Sequence, residues 1–142
     1  MADSTRIDHI VGGIYRISSF SPEFGISFNQ FLIDDEQPAL IHTGTYSHYE
    51  GVRSTISEVL DPKRLAHIVL LHWEGDENGG MDRFMTDAPD SQLVGSQLSI
   101  VLNASGFGLQ KRTEGFTDGQ TLELGATGCG SWKRRTSTTG TR

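Results

Sequence analysis

The stretch that most constrains the fold is Ile68 to Met81, which reads IVLLHWEGDENGGM. Its first four residues, Ile68 to Leu71, are uninterrupted aliphatic side chains, two of them β-branched. A run this short is a strand buried on both faces, as in a layered sheet. His72, Glu74 and Asp76 follow at every second position. Such alternation can aim all three side chains the same way off the end of a strand. Gly79 and Gly80 then let the backbone turn before a second apolar segment begins at Met81. One imidazole and two carboxylates on a strand-to-helix turn are the nucleus of a metal site. The plainer alternative is a polar loop in an acidic protein.

Composition narrows the class. At 142 residues the chain is one domain or part of one. Hydrophobic residues make up only 35%, but they gather in periodic runs, so a folded body is expected. The net charge of −6 argues against nucleic acid as a partner. No apolar run approaches the ~20 residues of a membrane span, and no signal-peptide pattern opens the chain. A single cysteine, Cys129, excludes an internal disulfide. A cytoplasmic location is expected.

Read in order, Ile10–Ile17 is expected as a strand weakened or bulged by Gly12 and Gly13. Ile26–Ile33 alternates apolar and polar positions, and Pro38–Ile41 returns after a turn, giving a hairpin. Ser47 and Glu50 have capping-box spacing, and Val52, Ile56, Val59 and Leu60 recur as one buried helical face. Asp61–Pro62 ends that helix. Met81, Phe84 and Met85 mark a short helix stopped near Pro89. Gln92–Val94 is a brief strand. Ser96 caps a helix with Leu98, Val101 and Leu102 on one side. Asp118–Gly119 is a turn before a last strand, Thr121–Leu124. Strands alternating with helices indicate an α/β layered domain.

The motif His72-x-Glu74-x-Asp76 after a buried strand resembles the metal-binding signature of the metallo-β-lactamase fold. Glu74 stands where the hydrolase branch usually has a second histidine. The wording Glu-x-Asp-Glu-x-Gly-Gly is similar to the oxygen-binding diiron proteins, relatives of the flavodiiron oxygen and nitric oxide reductases. A carboxylate in place of an imidazole makes the site harder and more anionic, which suits iron or manganese better than zinc. The resemblance covers about Val11 to Gly125 and implies the N-terminal half of an αββα sandwich. It implies His72, Glu74 and Asp76 as metal ligands, two irons per intact site, O2 or NO as ligand, a flavin electron donor and a family that is often homodimeric. It also implies a further His about sixty residues past Asp76, then an Asp and a final His; the chain has no histidine after His72. The reading that follows is a truncated diiron protein, itself inactive. A metallo-hydrolase and a non-catalytic remnant are the alternatives. Glu77 is expected beside the ligands or exposed. His42, His67 and His48 are expected to be non-ligands, the first two structural and the last exposed.

The last seventeen residues differ from the rest. Residues 1–125 hold all eighteen acids against eight basic residues, a net of −10, whereas residues 126–142 hold four basic residues and no acid. This tail also lacks Val, Ile, Leu, Met, Phe and Tyr. Residues 126–142 are therefore expected as an unstructured tail beyond a partial domain, residues 1–125. Translated from the third base of each codon, with Ser as TCN and Arg as CGN, Gly128–Arg142 permits a string containing Glu-Thr-Pro-His-Val-His-His-Trp-Asp-Ser. That string is similar to the family's next ligand loop. The tail is accordingly expected to be frameshift-derived.

Overall fold

The computed structural model describes residues 4–108 and 112–125, without the side chains of residues 105 and 107, and the backbone of Trp132–Lys133. Seven strands form one sheet whose spatial order is the chain order. They are β1 (Ser4–Val11), β2 (Ile14–Ser21), β3 (Ile26–Ile33), β4 (Ala39–Ile41), β5 (His67–Val69), β6 (Gln92–Ser96) and β7 (Thr113–Phe116). β1 to β4 run antiparallel, and β4 to β7 run parallel. The parallel half needs crossovers, which α1 (Tyr49–Ser57), α3 (Met81–Asp87) and α4 (Gln97–Asn103) supply. The result is the mixed α/β sheet expected.

One face of the sheet is covered by helices. Ile17, Leu32, Leu40, Ile68, Leu70 and Leu93 pack there with Val52 and Ile56 of α1 and Met81, Phe84 and Met85 of α3. Each such side chain stabilises the fold by roughly 1.5–3 kcal/mol relative to exposure. On the other face Ile33, Ala39, Val69 and Val94 pack with Phe116, Leu122 and Leu124. Apolar cover on both faces explains why Ile68 to Leu70 carries no polar residue.

Several expectations need correction. Ile10–Ile17 is not one strand: Gly12 and Gly13 form the turn between β1 and β2, with Val11 opposite Ile14 and Gly12 at φ 53°. The capping box is not made. A 3-10 turn over Tyr46–His48 precedes α1, so Ser47 lies inside the turn and its Oγ contacts Thr45 Oγ1 at 3.1 Å. Ser96 does cap α4, accepting from Ser99 N at 3.1 Å. The apolar stripe of that helix is not buried: Leu98, Val101 and Leu102 are 61–69% exposed, and Ile100 packs inward instead. β7 had no sequence expectation at all. β8 (Thr121–Leu122) pairs antiparallel with β9 (Trp132–Lys133); the other residues of the expected tail lie outside those described.

Candidate metal centre

The centre is built at the C-terminal end of the parallel strands, where chain ends in α/β sheets open a crevice. β4 delivers His42 and β5 delivers His72 to this edge. His42 N donates to Val69 O at 2.8 Å, so the two strands stay paired up to the loop. The chain then turns into α2 (Gly75–Asn78) rather than continuing extended. Glu74 is the residue before its first turn and Asp76 lies within it. The expected strand alternation therefore gives way to a helical turn. His72 and Glu74 are exposed, and Asp76 is half-buried.

Thr43 latches this turn to the body. Its N–H and its hydroxyl each donate to Glu77 O at 2.8 Å, and its Oγ1 accepts from Gly80 N at 2.9 Å. Thr43 is fully buried, so these bonds are made away from water, and losing the one from its N–H leaves a buried donor unpaired. Gly79 lets the two backbones touch: a Cβ there would collide with Tyr46 N and Thr45 C. Arg83 lies over the ring of Tyr49, 3.8 Å from guanidinium carbon to centroid, and pairs with Glu50 at 2.9 Å. Asp87 accepts from Tyr49 Oη and from Arg53 Nε. Burial first, then the Asp87 carboxylate, push the Tyr49 phenol up to about 12.

Glu77 sits at the heart of the arrangement. Its Oε2 accepts from His72 N at 3.0 Å and lies 3.6 Å from His42 Nδ1. Burial holds the Glu77 carboxyl above its ordinary range, opposed by His72 and reinforced by Asp76. Burial likewise lowers His42; His72 adds to that, and Asp76 opposes it. These neighbours act on one another through space, so His42, His72, Asp76 and Glu77 form one electrostatic group. Glu74 also raises Glu77. His42 combines two unfavourable features: a left-handed backbone, φ 62°, and a buried Nδ1 with no hydrogen-bond partner.

The donors are chemically those of a hard to borderline divalent cation. Among the described residues, however, no three His, Cys, Asp or Glu side chains stand in position around one point. His72, Glu74 and Asp76 are placed on one loop, while the pair in mutual reach is His42 and Glu77. Nothing in the local spacing signals that pair, which spans 35 residues. The other histidines lie elsewhere. His67 is buried in β5 with Nε2 3.2 Å from Gln37 Oε1, and burial lowers its pKa. His48, expected exposed, is buried because Thr45 Oγ1 holds its Nδ1 at 2.8 Å and Phe28 flanks the ring. A groove across β1 to β3, lined by Arg6, Arg16, Phe20 and Asn29 among others, shares no residue with the centre.

The fold is that of the metallo-β-lactamases. A metallo-β-lactamase variant from Cronobacter sakazakii superimposes with a TM-score of 0.69 at 18% identity, covering 84% of this chain and 50% of that one. Within the class, the homologues are flavodiiron proteins. The nitric oxide reductase of Moorella thermoacetica is 29% identical over 79 residues, 56% of this chain and 20% of that protein. The rubredoxin-oxygen oxidoreductase of Megalodesulfovibrio gigas is 26% identical over 124 residues, 82% of this chain and 31% of that protein. A flavo di-iron protein variant from Thermotoga maritima superimposes with a TM-score of 0.79 at 21% identity, covering 88% of this chain and 35% of that one. The chain thus spans less than a third of the length of these two curated relatives. No family model matches it. No helix among the described residues is long and apolar enough to cross a membrane.

Proposed function

We propose that this chain is the N-terminal portion of a flavodiiron-type oxygen or nitric oxide domain, and that alone it holds at most one metal ion and reduces neither gas. The observation that carries the reading is the placing of His72, Glu74 and Asp76 on a latched loop at the end of β5. A bound iron would supply a Lewis-acidic, redox-active centre there. The chain's own part is to present His72, Glu74 and Asp76 on a turn that Thr43 fixes from behind. Two irons need more donors than His72, Glu74 and Asp76 supply. Glu74 disfavours the hydrolase alternative, because an extra carboxylate lowers the electrophilicity of a zinc centre.

Metal analysis after anaerobic loading with Fe2+ tests this. At most about one iron per chain is expected, with no O2 uptake or NO loss above the buffer rate when a reduced flavin donor is added. Two tightly held irons per chain with turnover would overturn it. We further propose that residues 126–142 arise from a frameshift within the relatives' next ligand loop. Reading the gene decides this. The shifted frame must encode a Pro and a His at that place and continue to a later Asp and His; if it does not, the proposal fails.

A further inference from the structure

We propose that β1 is a self-pairing edge, along which two copies of this chain join antiparallel about a two-fold axis at Ile7. β1 is the first strand in the sheet order, so among the described residues no strand lies on its side away from β2. An edge of eight residues presents a row of main-chain donors and acceptors on which a further strand can add. Edges of this length are commonly blunted by charge or by a bulge. β1 carries both, and their arrangement selects one partner. The irregularity falls between His9 and Val11, so residues 4–9 keep an unbroken register with β2 and form the usable edge.

The charges set the register. Ile7 packs against the helix-covered core, so Arg6 and Asp8, one position to either side, share the opposite face of the sheet. With Ile7 opposite its own copy, Arg6 faces the second copy's Asp8 and Asp8 faces the second copy's Arg6. Such opposite-charge pairs favour strand pairing, and like charges directly opposite disfavour it. A slip of one residue would turn Ile7 onto the wrong face. A slip of two in either direction would set Arg6 against Arg6 or Asp8 against Asp8. Only the Ile7-centred register among these is self-complementary, as an isologous contact requires. Asp8 is held from the other side by Arg16, its register partner on β2, at 3.4 Å. Each row across the joint therefore reads Arg16, Asp8 and the second copy's Arg6, with alternating sign. Arg6 is free to make that contact: its side chain is 71% exposed and leans along its own strand to Asp8 Oδ2 at 3.4 Å. The net charge of −6 repels a second copy, whereas Ser4–Val11 holds one acid and one arginine and is formally neutral. The joint thus falls where repulsion is least.

Sedimentation velocity of the full chain, from micromolar to millimolar concentration in low salt, tests the pairing. A monomer–dimer equilibrium is expected for the parent chain. Asp8→Lys places a cation opposite Arg6, and Arg6→Glu places an acid opposite Asp8. The two-fold axis applies each change twice, so each variant should self-associate about tenfold or more weakly. An equimolar mixture of the two variants should restore the dimer, because every pair across the joint is then again of opposite sign. Amide exchange of the parent chain gives a reading that does not depend on the variants folding. Exchange in residues 5–9 should slow several-fold as concentration rises through the transition. A parent chain that stays monomeric through the millimolar range overturns the proposal. A dimer whose residues 5–9 exchange no more slowly than in the monomer also overturns it, as does one that both folded variants retain.

Discussion

Replacing Arg112 with methionine is expected to destabilise the fold by about 3 kcal/mol, because it removes charged donors from several buried carbonyls at once. Arg112 closes the C-terminal end of α3. Its Nη2 lies 3.0 Å from Met85 O, 2.9 Å from Ala88 O and 2.9 Å from Ser91 O, and its Nε donates to Ser91 O at 3.1 Å. The chemical reason lies in the sequence of the turn. In a continuing helix Met85 O would accept from the N–H of residue 89, but Pro89 has none. Ala88 O keeps Ser91 N and Ser91 Oγ as donors, so Met85 O and Ser91 O bear most of the loss. A cation at a helix C-terminus adds a favourable dipole interaction. Methionine conserves much of the length and apolar stem but supplies no donor. Lysine, a point charge with one nitrogen, should recover only part of the loss. Urea unfolding of the two variants measures this; a loss below about 0.5 kcal/mol for methionine, the range of ordinary surface changes, would show that water replaces the guanidinium.

That anchor was invisible in the sequence. Arg112 is separated from Met85 by 27 positions and acts on main-chain atoms, which leave no mark in side-chain patterning. The same sequence separation hid the His42–Glu77 pair. What was legible is what local periodicity encodes. The run Ile68 to Leu71 could be a doubly covered strand because a layered sheet demands apolar residues on both faces. Val52 and Ile56 announced the inner face of α1, and Ser96 its role as the cap of α4, because each rests on contacts within a few residues. The place of His72, Glu74 and Asp76 on the loop after β5 was legible, but their expected geometry was not: the strand alternation assumed for them ends where α2 begins. Gly12–Gly13 was misread because a glycine pair weakens a strand and makes a turn by the same freedom. Leu98, Val101 and Leu102 show the opposite failure. Their spacing marks an apolar face correctly, but periodicity cannot say whether that face is turned toward the core.

Gly79→Ala is expected to destabilise the chain by about 3 kcal/mol and to release the loop that carries His72, Glu74 and Asp76, although intrinsic propensity alone favours the change. Gly79 has helical dihedrals, φ −61° and ψ −28°, so alanine there should gain about 1 kcal/mol from reduced chain entropy. The added Cβ, however, meets backbone on the facing segment, Tyr46 N and Thr45 C, and the carbonyl of Gly75. Backbone cannot rotate away as a side-chain tip can, and inserting even a methyl into a packed contact costs about 1–3 kcal/mol. Relief requires moving α2 off residues 43–46, which breaks the bonds from Thr43 to Glu77 O and from Gly80 N to Thr43 Oγ1. The steric and hydrogen-bond terms together exceed the propensity gain. Gly75→Ala is the matched control: it lies in the same helix, and a methyl group there would meet nothing within 4 Å, so it should be neutral or stabilising by up to about 1 kcal/mol. Thermal unfolding and Co2+ affinity of the two variants separate the terms. Equal melting temperatures would mean that the loop is not held against residues 43–46, and a stable Gly79→Ala chain with unchanged affinity would remove the latch from any account of the metal centre.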